Sequence, residues 1–246
     1  MPATSLRFRL SLLLVGAVIV AVLSAVLARR LLPGSSSAKR ADSPPTTTTT
    51  APPPSTPAAI NAFLAAERRM LLGTWVVTES FERVAPTGRQ LGSVLHRAQR
   101  PPDTLTEGPT SADGRRNGRL ISCASGPTGG LVCKDAGPAP AFTDQVNSEL
   151  ASLKSYLVAT LPLYQVAAAP GAGPGQCWRL LLAAPGYPSP PYGTRAVFCF
   201  DPATGAPSYS QIVRPEATDT TTAVDISATV SSADLTVDAA PASPGR

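Results

Sequence analysis

Few residues in this sequence could do chemistry, and the four cysteines are the most informative of them. They are Cys123, Cys133, Cys177 and Cys199, with nine residues between the first two and twenty-one between the last two. A zinc site needs closely paired ligands such as C-x₂₋₄-C, and neither spacing provides them. An even number of cysteines behind an export-type segment instead favours two disulfides and an oxidising compartment, with a four-cysteine zinc site as the alternative.

The other candidates for catalysis are weak. The single histidine, His96, begins the polar run His96-Arg97-Ala98-Gln99-Arg100, where a solvated side chain is the usual outcome. Without a second histidine, neither a conventional metal site nor a Ser-His-Asp set can be assembled. The run from Gly171 to Gly175 is GAGPG, which lacks the Lys and Ser/Thr of a phosphate-binding loop and predicts a turn. We therefore expect no catalytic residues, no metal, no cofactor and no enzymatic activity.

The net charge of +5 lies in one part of the chain. Residues 1–57 hold six basic residues and one acidic residue, whereas residues 58–246 hold fifteen of each sign. A nucleic-acid-binding domain carries a basic stripe on its folded surface. The basic excess here lies beside a hydrophobic segment instead, so nucleic acid is not an expected partner.

Residues 10–28 form an uncharged run of nineteen residues, LSLLLVGAVIVAVLSAVLA. As a helix this run would be about 28 Å long, close to the thickness of a bilayer's hydrocarbon core. We expect an uncleaved transmembrane signal anchor preceded by a cytoplasmic N-terminus, residues 1–9. The alternative is a cleaved signal peptide, because Val26-Leu27-Ala28 is an acceptable cleavage sequence.

A spacer separates this segment from the rest of the chain. Residues 43–57 read SPPTTTTTAPPPSTP, a composition that cannot bury apolar surface and favours extended polyproline II. We assign residues 29–57 as a Pro/Thr-rich extracytoplasmic linker. The basic residues after the anchor would by charge alone favour a cytoplasmic domain, but the cysteines favour the opposite side. The expected localisation is therefore the cell membrane, single-pass, with the C-terminal domain outside.

The domain itself alternates between two kinds of hydrophobic period. Helical spacing predicts one helix over Ala58–Leu72, ending at Gly73, and another over Thr143–Val158. Consecutive strands without crossover helices pair as meanders, so the pattern predicts an antiparallel α+β domain over residues 58–240 and a disordered tail, 241–246. The predicted strands are Thr74–Val84, Ser93–Arg100, Arg119–Cys123, Gly130–Lys134, Leu163–Ala168, Gln176–Ala184, Thr194–Phe200, Pro207–Arg214 and Thr221–Val230.

A disulfide between Cys177 and Cys199 would fix the register of two adjacent strands. Opposed residues in an antiparallel pair lie about 4.5–5.5 Å apart at Cα, within the range of a disulfide. Trp178 would then face Phe198, Arg179 would face Val197, and Leu180 would face Ala196. Side chains alternate between faces, so one face is aromatic and aliphatic and covers a core or a cavity. The other carries the disulfide, Arg179 and Arg195 and meets solvent.

The sequence resembles the LolA/LppX-like lipoprotein-carrier superfamily. The resemblance covers residues 58–240 and lies in the helix, the strand TWVVTESFER, the second helix and the closing strands. Its best local match runs from Cys199 through the turn Asp201-Pro-Ala-Thr-Gly205 to TTAVDISATV and Ser232-Ala-Asp-Leu235. The disulfides and the anchor depart from the soluble carriers and resemble anchored, disulfide-bearing, actinobacterial-type variants.

This resemblance implies an antiparallel half-open β-barrel covered by two or more helices, with an apolar cavity for acyl chains and no catalytic residues. Non-catalytic binding of a lipid or of lipoprotein acyl chains is the expected function. An envelope protein-interaction or sensor module is the alternative, and the oligomeric state is left open. Ordinary packed core is also an alternative for the residues placed by position in the cavity: Trp75, Val77, Phe81, Trp178, Leu180, Leu182, Phe198 and Phe200.

Overall fold

The computed structural model describes residues 55–127 and 129–237 of the chain. The predicted N-terminus, the anchor, most of the linker and the tail lie outside these residues. Within the described part, no helix is both long and apolar enough to cross a membrane.

The described residues form two α-helices and eleven strands. The helices are α1, Pro57–Leu72, and α2, Phe142–Val158, and a short 3₁₀-helix, Ala233–Leu235, ends the described chain. The strands, in chain order, are β1 Trp75–Val84, β2 Gln90–Arg100, β3 Asp103–Glu107, β4 Ser111–Arg116, β5 Arg119–Ser125, β6 Leu131–Pro138, β7 Tyr164–Ala168, β8 Gln176–Leu182, β9 Arg195–Phe200, β10 Pro207–Val213 and β11 Thr218–Ser227.

All eleven strands belong to one antiparallel sheet that does not close. Its order is β6-β5-β4-β3-β2-β1-β11-β10-β9-β8-β7, so β6 and β7 are the edges. The first and last strands in sequence, β1 and β11, are neighbours in the middle. The connection from β6 to β7 contains α2 and takes the chain from one edge to the other. The α+β antiparallel class predicted from the sequence is confirmed.

Helix α1 begins and ends where the sequence favours it. The Thr56 side chain accepts a hydrogen bond from the Ala59 amide at 3.1 Å, and Pro57 occupies the first turn, where its missing N–H costs nothing. The helix ends before Gly73, as predicted. Phe63, which is 0% exposed, points into the main core together with Leu153 and Leu157 of α2 and apolar residues of β7, β8 and β9.

Both predicted disulfides are present, Cys123 with Cys133 and Cys177 with Cys199. The register deduced from the second is also confirmed, because Trp178 pairs with Phe198, Arg179 with Val197 and Leu180 with Ala196. On the face predicted to meet solvent, Arg179 and Arg195 are exposed, but the disulfide is not. Cys177 and Cys199 are buried beneath the loop after β7, where Gly173 approaches so closely that a Cβ would lie 3.0 Å from the Cys199 sulfur.

The face of the sheet away from the helices has a core of its own. Ala98, Leu105, Ala112 and Cys123 are buried there, together with Val230 and Leu235 of the C-terminal segment. Strands β3 and β4 complete this region and were missed by the sequence analysis. Pro101-Pro102 forms the two-residue turn between β2 and β3, where Arg100 pairs with Asp103.

Candidate functional site

Several of the residues predicted to line a cavity are packed core. Trp178 and Leu180 are 3% and 0% exposed and lie in the main core beneath α1, with Leu182 at its edge. Trp75 and Val77, at 2% and 1%, belong to a smaller core with Ala206. Trp178, Leu180 and Val77 therefore fill space between the sheet and the helices, whereas Trp75 and Leu182 also border open spaces.

The other three predicted residues border a groove or a cavity, although Phe200 is 3% exposed and also belongs to the main core, against which Phe198 packs. Phe81 lines a groove near the end of β1, beside Leu91 and Val94. Phe198 and Phe200, on β9, line a cavity between α1 and the sheet with a volume of about 480 Å³. We call this space the α1 cavity. The structure thus brings Phe198 and Phe200 to the α1 cavity, and Trp75 borders a smaller cavity of about 260 Å³ beneath α2.

The α1 cavity has both apolar and ionisable walls. Met70 of α1 and Leu95 of β2 add apolar surface to the two phenylalanines. The polar part of the lining consists of Glu67, Glu79, Arg97, Thr106, Tyr192, Ser210 and Thr221. Because a carboxylate or guanidinium in such a space must find a partner, the charged groups decide what the cavity can hold.

Glu79 and Arg97 form an ion pair on the cavity wall. The Glu79 side chain is almost fully buried, and its Oε1 accepts a hydrogen bond from Arg97 Nη1 at 3.4 Å. Burial raises the pKa of the Glu79 carboxyl, while the charge and hydrogen bond of Arg97 lower it. The Arg97 guanidinium also lies over the Trp75 ring, 5.5 Å from its centroid. This arrangement fixes Arg97 on the helix-side face of the sheet.

Glu67 enters the cavity from the opposite side, on α1. It is half-buried, and within the described residues its carboxylate has no salt-bridge or hydrogen-bond partner. Burial raises its pKa to about 7, opposed by the charge of Arg97 and reinforced by the charge of Glu149. A carboxyl group with this pKa changes charge near neutral pH, so Glu67 is the titratable group of the cavity.

A second space continues from the first between the two helices. This interhelix pocket has a volume of about 320 Å³ and shares Glu67, Met70 and Tyr192 with the α1 cavity. Tyr156 lines it from α2, with its ring edge-on to the Tyr192 ring at 6.3 Å between centroids. Burial raises the pKa of Tyr192 to about 12, and the Glu67 charge adds to this effect.

Helix α1, which covers the α1 cavity, is held in place at its C-terminal end. The Gln99 side-chain amide Nε2 lies within hydrogen-bond distance of the carbonyl oxygens of Met70, Leu71 and Gly73, at 2.8, 3.0 and 2.9 Å. Trp75 Nε1 donates a further bond to the Met70 carbonyl at 3.0 Å. The last carbonyls of a helix have no partners of their own, so these donors fasten α1 to β1 and β2.

The N-terminal end of α1 is fastened to an edge strand. The Ser55 amide donates to Gln165 Oε1 at 2.5 Å, and the Val166 amide donates to Ser55 Oγ at 2.7 Å. Both partners lie on β7. Helix α1, which covers the cavity, is therefore hydrogen-bonded to β7 near its N-terminus and to β1 and β2 at its C-terminus.

His96 lies away from the cavity. Its Nε2 is 3.3 Å from the carbonyl oxygen of Asp234, in the C-terminal segment that covers the other face of the sheet. In residues 55–127 and 129–237, no group of His, Cys, Asp and Glu side chains is arranged to hold a metal ion. The structure thus places the single histidine among contacts between the sheet and its C-terminal segment.

The charged residues of the cavity are the part of the site that the sequence analysis missed. Glu79 occupies an inward position of an alternating strand, between Val77 and Phe81, and a carboxylate at a core position is a usable signal. Arg97 also lies at an inward position, opposite Val77. Glu67 gives no such signal, because it stands in the helical run Glu67-Arg68-Arg69 that resembles an ordinary solvated face.

Comparisons with known proteins give similarities of structure. No family model and no curated protein matches the sequence. A LolA superfamily protein from Nitrosomonas europaea is similar over 73% of this chain and 98% of its own, with 7% identity and a TM-score of 0.32. LprF from Mycobacterium bovis is similar over 76% and 100%, with 12% identity and a TM-score of 0.37.

MucB is similar over 78% of this chain, with 14% identity and a TM-score of 0.40, and this chain spans 62% of the MucB chain. The name of the Nitrosomonas europaea protein includes the superfamily that the sequence resembles. At these identities and TM-scores, the similarity is one in the general course of the chain.

Proposed function

We propose that residues 58–240 form a non-catalytic, extracytoplasmic domain that binds a hydrophobic ligand, a lipid or the acyl chains of a lipoprotein. On this proposal residues 10–28 anchor the domain in the cell membrane, and residues 29–57 hold it clear of the surface. The sheet acts as a half-open barrel, with α1 and α2 as its cover.

The α1 cavity carries the proposal. Its volume of about 480 Å³ lies in the range of small-molecule sites, about 300–1,000 Å³. Phe198, Phe200, Met70 and Leu95 offer apolar surface to an acyl chain. A few polar groups among apolar walls are typical of sites that orient a ligand. The packed residues Trp178 and Leu180 would then support the cavity wall from behind.

The test uses the full chain in the membranes of an exporting host, fed with a fatty acid that carries a photoreactive diazirine. After illumination, lipid-bearing peptides are identified by mass spectrometry. We expect crosslinks to the β9 peptide that contains Phe198 and Phe200. Ser210→Trp, which fills the cavity, should abolish these crosslinks, whereas Ser80→Trp, at an exposed position of β1, should leave them unchanged.

Crosslinks to residues 10–28 alone would sink the proposal, because they would report contact with the bilayer and no occupied cavity. That result would favour the alternative of an envelope protein-interaction or sensor module.

A further inference from the structure

The polar end of the proposed site has an uncompensated negative charge. The charged residues of the interhelix pocket are Glu67, half-buried on α1, and Glu149, exposed at the rim on α2. Arg97, which lines the adjoining α1 cavity, is already paired with Glu79 at 3.4 Å. A ligand that fills the pocket therefore meets a carboxylate that has no salt-bridge partner among residues 55–127 and 129–237.

Aromatic rings stand beside this carboxylate. Tyr192 and Tyr156 both line the pocket, and their rings lie edge-to-face with centroids 6.3 Å apart. Tyr192 in turn contacts Phe198 edge-on at 5.4 Å, which leads from the pocket into the α1 cavity. Electron-rich ring faces next to a carboxylate are the combination that attracts ammonium groups, because ring quadrupole and charge act in the same direction.

We propose that the interhelix pocket binds the ammonium headgroup of a cationic amphiphile whose alkyl chain occupies the α1 cavity. This inference rests on the proposed function, since it assigns the headgroup of the same ligand. Glu67 supplies the charge at the boundary between the two spaces, Tyr156 and Tyr192 supply aromatic rings in the pocket lining, and Met70 with Phe198 lines the path of the chain.

The pH dependence follows from the groups that face Glu67. They are Arg97 on β2, Glu79 on β1, Glu149 on α2, and Tyr192 on the β8–β9 connection. Arg97 is paired with Glu79, and burial raises the pKa of Tyr192 to about 12. Glu67, with a pKa of about 7, changes charge between pH 6 and pH 8, and its ionised form attracts the cation. Affinity for an ammonium ligand should rise over that interval.

The experiment uses the full chain in nanodiscs and isothermal titration calorimetry, with empty nanodiscs as the blank. Three probes share a six-carbon chain, which avoids micelles: hexyltrimethylammonium, hexanol and hexanoate. We expect hexyltrimethylammonium to bind about tenfold more tightly than hexanol at pH 8, and hexanoate to bind least. Glu67→Gln should remove the preference for the cation and its pH dependence while leaving hexanol binding unchanged.

Glu82→Gln, at an exposed position on β1, is the matched control and should behave as the unmodified chain. Retained hexanol binding shows that the Glu67 variant is folded. Equal affinity for all three probes, or a cation preference that survives Glu67→Gln, would overturn the headgroup assignment and leave the proposed function standing. Failure of every probe to bind would overturn both.

Discussion

Arg97 on β2 and Glu79 on β1 are diagonal neighbours on the helix-side face of the sheet, with Nη1 and Oε1 3.4 Å apart. Their side chains are unequally exposed, 31% for Arg97 and 4% for Glu79. Removal of the arginine therefore leaves the more buried partner without its counter-charge. Because of this difference in burial, replacing Arg97 alone and replacing Glu79 alone should have unequal effects on the stability of the domain.

Arg97→Met should destabilise the domain by about 3 kcal/mol at pH 7.5, the lower end for a broken buried pair, because Arg97 keeps some solvent. Burial already raises the pKa of Glu79, and loss of the arginine raises it further. The carboxyl takes up a proton more readily at pH 5, so the loss of stability should be smaller there. Urea denaturation at the two pH values measures both effects.

Arg179→Met is the matched control, because Arg179 is exposed on the opposite face of the sheet and should change stability little. Adding Glu79→Gln to Arg97→Met should recover part of the loss, since the unpaired Glu79 charge is then removed as well. An Arg97→Met variant as stable as the unmodified chain at pH 7.5 would contradict the importance of this pair.

Glu67→Gln should stabilise the domain at pH 8 by on the order of 1–3 kcal/mol. The pKa of Glu67 in the folded protein, about 7, lies above the ordinary value of 4.5 for a solvated glutamate. The folded state therefore binds more protons than the unfolded state between these values, and stability falls as pH rises through that interval. The substitution removes this loss. Unfolding free energies of the two proteins at pH 5 and pH 8 test it, and parallel pH profiles would contradict it.

The regions predicted correctly from the sequence are those where local pattern and covalent chemistry agree. The Cys177–Cys199 bridge fixes the pairing of Trp178 with Phe198, because only one register brings the sulfurs together. Helix α1 likewise ends at Gly73, a residue type that marks a helix end in the local sequence. Such features depend on near neighbours in the chain or on a single bond.

The missed regions depend on contacts between distant residues. Strand β3, DTLTE, has one buried apolar residue, Leu105, which is covered by Val230 and Leu235 from the far end of the chain. Hydrogen bonds from β2 and β4 on its two sides hold β3 in the sheet. The meeting of Glu67 with Glu79 and Arg97 likewise needs α1 to fold over the sheet, which residue spacing does not encode.

Replacement of Cys177 and Cys199 by Ala should cost about 3 kcal/mol, because the bridge closes a loop with a sequence separation of 22 in the unfolded chain. Replacement of Cys123 and Cys133, which have a sequence separation of 10, should cost slightly less stability by the same argument. Thermal unfolding with and without strong reductant provides the measurement. Identical melting of the oxidised and reduced protein would count against both estimates.

The stability of Leu180→Ala tests whether Leu180 is packed core or part of a cavity wall. Leu180 is 0% exposed in the main core, so its truncation should cost about 2–5 kcal/mol. Leu91→Ala is the matched control: because Leu91 is 53% exposed, this substitution should change stability by less than about 0.5 kcal/mol. A loss below about 1 kcal/mol for Leu180→Ala would indicate a loosely filled space and return this residue to the ligand-binding surface.

Gln99→Leu should loosen the roof of the α1 cavity. The substitution removes the amide near three carbonyls at the end of α1, and buried acceptors left without a donor cost about 1–3 kcal/mol. Because Trp75 still donates to the Met70 carbonyl, α1 should remain helical and fray only at its C-terminal turn. Hydrogen exchange should therefore become faster at Arg69 to Leu72, with no change at Phe63. The control is Gln90→Leu, exposed on the same strand. Unchanged exchange at this turn would show that Trp75 holds the helix end without Gln99.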